Sequence, residues 1–321
     1  MIQQIEIGFY FILVIGLLLL SQWAVSNRWA RILNFGLLAL IGGLIGLASV
    51  FVRRIPVWTT ISSGVTIYPA RGSLSLAILA ISILAPLAVG IYANSQGKTY
   101  RLKRLQLSHP ITLTSWTLLG LNTGGNIVLK AMVPIEALAQ QMTIWIIVEG
   151  KILIALAALI GVGWGVRRNW SEVLARLGWR GFRMRDPILG TLIVLILLFI
   201  DTFILIALFL LFKEDVYDFL EYSHLINQQL TNIWMVFLMA VATGIGEELL
   251  YRGALQPVLG IWLTSLIFAL GHVQYLNPFF ISIFISGLIL GWARNRWGLG
   301  TAIWSHFMYN ALIGLLSLPQ S

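Results

Sequence analysis

The chain has 321 residues, 59% of them hydrophobic and only 10% charged, and its mean hydropathy of +0.89 lies outside the range of a soluble domain. It contains no cysteine, which excludes disulfides, thiolate catalysis and Cys-ligated metals, so any chemistry falls to His, Glu, Asp, Ser, Tyr or Asn. The net charge of +9 does not argue for nucleic acid, because the basic residues sit between apolar runs, where they orient a membrane protein.

The predicted fold is all-α, a polytopic transmembrane helical bundle of about 8 to 10 spans. Apolar runs long enough to cross a bilayer lie near 8–25, 32–52, 73–94, 142–166, 187–212, 231–252, 258–275, 278–293 and 299–317. The first follows "MIQQIEI", which lacks the positive start of a secretory signal, and reads as a retained span despite "AVS" at 24 to 26. The stretch 111–135 is apolar but broken by Asn122, Thr123, Gly124, Gly125 and Lys130.

Loop charge orders these runs. One basic cluster contains Lys98, Arg101, Lys103 and Arg104, and a second contains Arg167, Arg168, Arg176, Arg180, Arg183 and Arg185. Both belong on the cytoplasmic side, which requires an even number of crossings between them and makes 111–135 a span; eight spans result if neither intervening segment crosses. The acidic loop 213–230 then falls outside, and Arg294 and Arg296 fall back inside. Arg53, Arg54 and Arg71 depart from the pattern.

Between these blocks, "NWSEVLARLGWRGFRMRD" (169–186) opens with Asn169 and carries Glu172 three residues on, the spacing of a capping box. It reads as a short interfacial helix. The chain therefore divides into an N-terminal transmembrane region of unassigned role (1–166), an interfacial linker (167–186) and a C-terminal transmembrane core (187–321) of about five spans. No internal repeat points to a transporter of duplicated halves.

Three spans of the core carry polar pairs at helical spacing. In "GEELLYRG", Glu248 and Arg252 share a face and can pair, while Glu247 points about 100° away and is left free. Phe268 and His272 are four apart on the next span, as are His306 and Asn310 on the last. At 1.5 Å per residue, His306 and Glu247 both lie roughly 10 Å from the cytoplasmic side and His272 roughly 15 to 20 Å, so the three can meet. A carboxylate in such surroundings suits a general base taking a proton from water, with a histidine sharing the hydrogen bond: Glu247 and His272. A His N–H and an Asn amide on one face can donate to the oxyanion formed when water attacks a carbonyl: His306 and Asn310. The implied reaction is peptide-bond hydrolysis inside the membrane.

In these residues the chain resembles the CPBP intramembrane proteases, which include the CAAX prenyl endopeptidases. The first motif, two glutamates with an arginine four after the second, stands at Glu247, Glu248 and Arg252; the second at Phe268 and His272; the third at His306 and Asn310. The resemblance covers about residues 231–318, with "EVLARLGWRG" similar to the family's lead-in, and says little about residues 1–165. It implies a glutamate-activated water, an oxyanion hole from the last His and Asn, no cofactor, and a site opening toward the cytoplasm of an integral protein of the cell membrane. Partners are then the lipid bilayer and a peptide or membrane-protein substrate, prenylated or not, with no nucleic acid.

Other readings stay open beside it. Glu248 with Arg252 serves as a buried ion pair locking the helix, and Phe268 as a packing wall; Tyr251 and Trp304 either line the site or pack. Asp201 and Glu149 are intramembrane acids needing partners, structural or along a substrate path, and Lys151 is two residues from Glu149, so those two do not face each other. His109 and His224 lie in loops, and Gly42/Gly46 and Gly287/Gly291 have spacing for close helix contact. The mechanistic rival is a zinc site with Glu247, His272 and His306 as ligands, although no His-Glu-x-x-His helix is present. From other classes, a proton-coupled carrier relaying through Glu247, Asp201 and Glu149, or a non-catalytic membrane scaffold, would use the same residues differently.

Overall fold

The computed structural model describes residues 143–272 and 279–318, and before them 12, 15–24, 27–30, 32–34, 36–37, 40, 58–61 and 64–67. The expected spans at 73–94 and 111–135, the basic cluster at 98–104, His109, and Gly42 with Gly46 lie outside the described residues, as does most of 32–52. The chain forms two compact units, Met1–Leu138 and Ala139–Ser321.

In the first unit, an apolar helix α1 (Ile15–Ala24) buries Ser21, whose hydroxyl donates to Leu17 O at 2.8 Å and Asn34 Oδ1 at 3.2 Å. A short antiparallel pair, β1 (Trp58–Ile61) and β2 (Gly64–Ile67), sets Trp58 opposite Ile67 and Ile61 opposite Gly64. Apart from this pair, the elements of the described residues are helical, as the all-α expectation has it. The pair's Trp, Thr, Val and Ile suit a pleated strand better than a helix.

Among the described residues, every element of the second unit is helical. They are α2 (Ile144–Gly161), α3 (Trp170–Leu177), α4 (Arg185–Leu211), α5 (Lys213–Asn227), α6 (Ile233–Glu247), a π-helical segment (Glu248–Leu255), α7 (Gln256–Leu270), α8 (Phe280–Arg296) and α9 (Leu299–Leu316). Helix α2 packs along α6 and the π segment.

Local chemistry sets the helix starts. The Thr143 hydroxyl accepts from Ile146 N at 3.3 Å, and the Asn232 side chain accepts from Met235 N at 3.1 Å, each satisfying a first-turn donor. Asn169 and Glu172 close the capping box their spacing predicts, and Gly178 ends α3 at φ +81°, a conformation that favours glycine. Asp186, 3% exposed, accepts from Thr301 Oγ1 at 2.7 Å and Arg183 N at 2.8 Å, fastening the start of α4 to the start of α9.

Three helices among the described residues are long and apolar enough to cross a membrane: Ile144–Gly161, Arg185–Leu211 and Ile233–Leu255. The chain is an integral membrane protein. Helix α7 is interrupted at Gly260, at φ +79°, a conformation that favours glycine. The acidic stretch 213–230, expected as a loop, is mostly helix α5, anchored through Val216 in an apolar cluster with Leu208 and Phe279.

The core is a set of seams. Ile144 and Val148 meet Leu230 and Val236 between α2 and α6. Ile193 and Leu197 of α4 meet Leu290 and Ala293 of α8. Val173 and Leu177 root α3 against Val162 and Leu299. With lipid outside, close approach is carried by small residues. A Cβ on Gly287 would lie 3.0 Å from the Ser265 Cβ, and one on Gly291 2.8 Å from Gln256 Oε1, so this glycine pair does bring α8 onto α7.

Candidate active site

Glu247 ends α6 and Glu248 opens the π-helical segment, so the two carboxylates leave the backbone where helical geometry changes. Such π turns are rare and frequently mark functional sites. Both are buried, Glu247 at 2% exposure and Glu248 at 0%, in surroundings where an unpartnered carboxylate is expensive. Each accordingly has company.

Glu248 Oε1 receives Nδ1–H of His306 at 2.8 Å and lies 3.2 Å from Arg252 Nη1, the pair expected from spacing. Arg252, 1% exposed, also donates from Nη2 to Gly287 O at 3.3 Å and places its guanidinium 4.3 Å from the centroid of the Phe268 ring. It thereby ties the π segment to both α7 and α8.

Glu247 is not free, as the reading of its own helix implied. Lys151 of α2 donates its ammonium to Oε1. Gly246 makes this possible: a Cβ there would lie 2.5 Å from Lys151 O, so only glycine lets α2 come this close beside Glu247. The other oxygen, Oε2, is buried and has no hydrogen-bond partner among the described residues. It faces His272 Nε2 at 3.7 Å and His306 Nε2 at 3.9 Å.

The outer ring nitrogens fix the histidines. His272 Nδ1 donates to Phe268 O at 2.8 Å, one helical turn back, which leaves Nε2 the acceptor of a neutral ring, turned toward Glu247. His306, with Nδ1–H given to Glu248, also presents Nε2 to Glu247. Phe268 joins these parts: its ring lies 4.6 Å from His272, 6.0 Å from His306 and 5.1 Å from Tyr251, the last edge-on. Asn310 is half-buried one turn beyond His306 on α9.

The structure thus brings together Glu247, Glu248, Arg252, Phe268, His272 and His306, with Asn310 carried on the same helix as His306. Trp304 turns elsewhere, its indole N–H on Thr191 Oγ1 at 3.3 Å and its ring against Phe182 and Phe307. Asp201 accepts from Ser282 and, at 2.6 Å, from Tyr309, so its partners are hydroxyls. Glu149 lies on the exposed side of α2, and His224 is exposed in the last turn of α5 beside Gln228 at 3.0 Å. Among the described residues no group of three or more His, Asp or Glu side chains is disposed to hold a metal ion.

Sequence reasoning missed Lys151. The signal was present: an intramembrane lysine needs a carboxylate, and inspecting only neighbours on its own helix overlooked one 96 residues away.

Comparison with known proteins finds similarity in the segment that carries the site. Residues 229–312 match the model of the Rce1-like family, type II CAAX prenyl endopeptidases. The chain is also 37% identical over 86 residues to the protein YpbD of Bacillus subtilis (strain 168). That alignment covers 25% of this chain and 42% of the relative, so the chain spans less than half of the curated protein it matches. No solved structure matches the chain. All three motifs stand in order inside the matched segment, so residues 229–312 are similar to the Rce1-like type II CAAX prenyl endopeptidases.

Proposed function

We propose that the protein is an intramembrane endopeptidase in which Glu247 activates water for attack on a peptide carbonyl. The observation that carries this reading is the buried Oε2 of Glu247, facing Nε2 of His272 at 3.7 Å and of His306 at 3.9 Å. A water about 2.8 Å from Oε2 and from His272 Nε2 would see them at roughly 80–90°, near the spread of its two O–H bonds. It would donate to both and aim a lone pair outward.

In the attack, one water O–H bond breaks and its proton passes to Glu247 Oε2. The water oxygen bonds the carbonyl carbon, and the carbonyl π pair moves onto the oxygen. The Asn310 amide donates to that oxyanion, and His306 does so from Nε2 when its ring carries both protons, Nδ1–H being engaged by Glu248. As the C–N bond breaks, the Glu247 proton passes to the departing amine and the carboxylate is restored. Lys151, by holding Oε1, fixes the carboxylate's rotation so that Oε2 is the oxygen presented.

The substrate is a peptide or membrane protein, with a prenylated C-terminus one option among peptide maturation and regulated cleavage. By the charge pattern of the loops, the site opens to the cytoplasm of the cell membrane. A zinc held by Glu247, His272 and His306 is the alternative mechanism. Tetrahedral zinc places its ligand atoms about 3.3 Å apart, somewhat closer than the separations here, and the Lys151 ammonium already neutralises the carboxylate, which supports the metal-free form.

The test compares the membrane proteomes of cells carrying the intact protein and the Glu247→Ala form. The reading predicts a set of shortened membrane peptides present only with the intact protein, and identical proteomes would count against it.

A further inference from the structure

We propose that the arginine cluster around α3, formed by Arg167, Arg168, Arg176, Arg180 and Arg294, binds the phosphate headgroup of an anionic membrane lipid. The five come from three places in the chain: the turn after α2, the interfacial helix with the loop behind it, and the end of α8. Arg294 lies against Gly178, where a Cβ would sit 3.0 Å from its Nη2. Arg176 reaches the carbonyls of Gly253 and Ala254 at 3.4 Å each, and Arg168 donates to Val162 O.

Among the described residues none of the five has a carboxylate within ion-pair distance. The two nearest acids in sequence are engaged otherwise, Glu172 by Asn169 N at 2.9 Å and Asp186 by Thr301 and Arg183 N. Burial lowers the Arg176 pKa to about 10, and the charges of Arg168, Arg294 and Arg167 push it the same way. A like-charged cluster of this kind is relieved by an anion. Guanidinium groups suit phosphate because their planar donors engage two of its oxygens at once.

The surroundings favour a lipid over a free anion. Trp164 and Trp170 flank Arg167 and Arg168 in the chain, stand edge-to-face at 5.8 Å and are exposed, as are Phe182 and Met184. Exposed tryptophans beside arginines mark the level of lipid headgroups, and basic pockets between spans on the cytoplasmic side are where anionic headgroups bind. Arg176 and Leu177 both rest on the π segment that holds Glu248 and Arg252, so an occupied cluster abuts the backbone of the candidate site.

The experiment is native mass spectrometry of the purified full chain, released from detergent with phosphatidylglycerol, phosphatidylcholine or inorganic phosphate. Phosphatidylglycerol should be retained at least about fivefold better than phosphatidylcholine. Each of Arg167→Gln and Arg180→Gln, both exposed positions, should weaken retention about fivefold, since one basic residue near a membrane surface contributes that much to anionic lipid binding. Arg167→Lys with Arg180→Lys, which keeps the charge but not the two-oxygen fork, should retain phosphatidylglycerol less well than the parent and better than phosphatidylcholine, and retention equal to the parent's would count against the proposal if a glutamine form does not fold. Equal retention of the two lipids, glutamine variants indistinguishable from the parent, or inorganic phosphate held as tightly as phosphatidylglycerol would each overturn the proposal.

Discussion

Lys151 and Glu247 form an ion pair across the seam between α2 and α6, at the point where Gly246 lets the two backbones touch. The pair joins a helix outside the family-matched segment to the carboxylate that we assign as the base. The lysine side chain is 22% exposed and the glutamate side chain 3%, so the buried carboxylate depends on the lysine for charge balance.

Lys151→Met therefore leaves Glu247 charged, buried and unpaired. The expected loss is about 3 kcal/mol, at the lower end for breaking a buried pair because the lysine keeps some exposure. Thermal unfolding in detergent reads it directly, and Lys151→Arg should recover most of the loss. A methionine form as stable as the parent would show that the pair does not hold the seam.

Arg252→Ala removes the partner of Glu248, a hydrogen bond to Gly287 O and a cation stacked on Phe268. A destabilisation of about 3–5 kcal/mol follows from stranding a fully buried carboxylate. Unchanged thermal stability would contradict the pairing.

Phe268→Ala opens a cavity among Arg252, Tyr251, His272 and His306, at a cost of about 3–5 kcal/mol for a buried phenylalanine. Phe268→Leu, which retains most of the volume, should lose less stability and still reduce cleavage, because the His272 ring loses its aromatic neighbour. Equal losses for the two variants would argue against Phe268 as the packing hub.

Asn310→Ala tests the oxyanion donor. On the protease reading kcat falls by about 10²–10³ with KM nearly unchanged, the size expected for one lost donor to a developing charge. A carrier using Glu247 as a proton relay has no such dependence, so retained function with this substitution would favour transport. Stoichiometric zinc lost together with activity under chelation would establish the metal mechanism instead.

The C-terminal half was legible because its signals are local. The i, i+4 spacing of Glu248 with Arg252, Phe268 with His272 and His306 with Asn310 fixes helix faces before any tertiary contact is known. The capping box at Asn169 and the close packing at Gly287 and Gly291 are likewise written in a few consecutive residues. What stayed hidden was non-local. Lys151 and Glu247 meet only because two helices pack, and Asp201 finds Ser282 and Tyr309 on two others. The helix α5 escaped notice because its acidic residues resembled a loop, although Val216 and Phe219, three apart, both reach the Phe279 cluster.

The account rests on Glu247 as the residue that takes the proton from water. The most direct measurement is kcat for a membrane substrate identified by the proteome comparison, in the reconstituted full chain and in its Glu247→Gln form, with thermal unfolding recorded for both. Glutamine keeps the shape and can still meet the histidines, but it cannot accept the proton. The account predicts a folded protein whose cleavage falls below detection; a folded Glu247→Gln form that still cleaves at a comparable rate would contradict it.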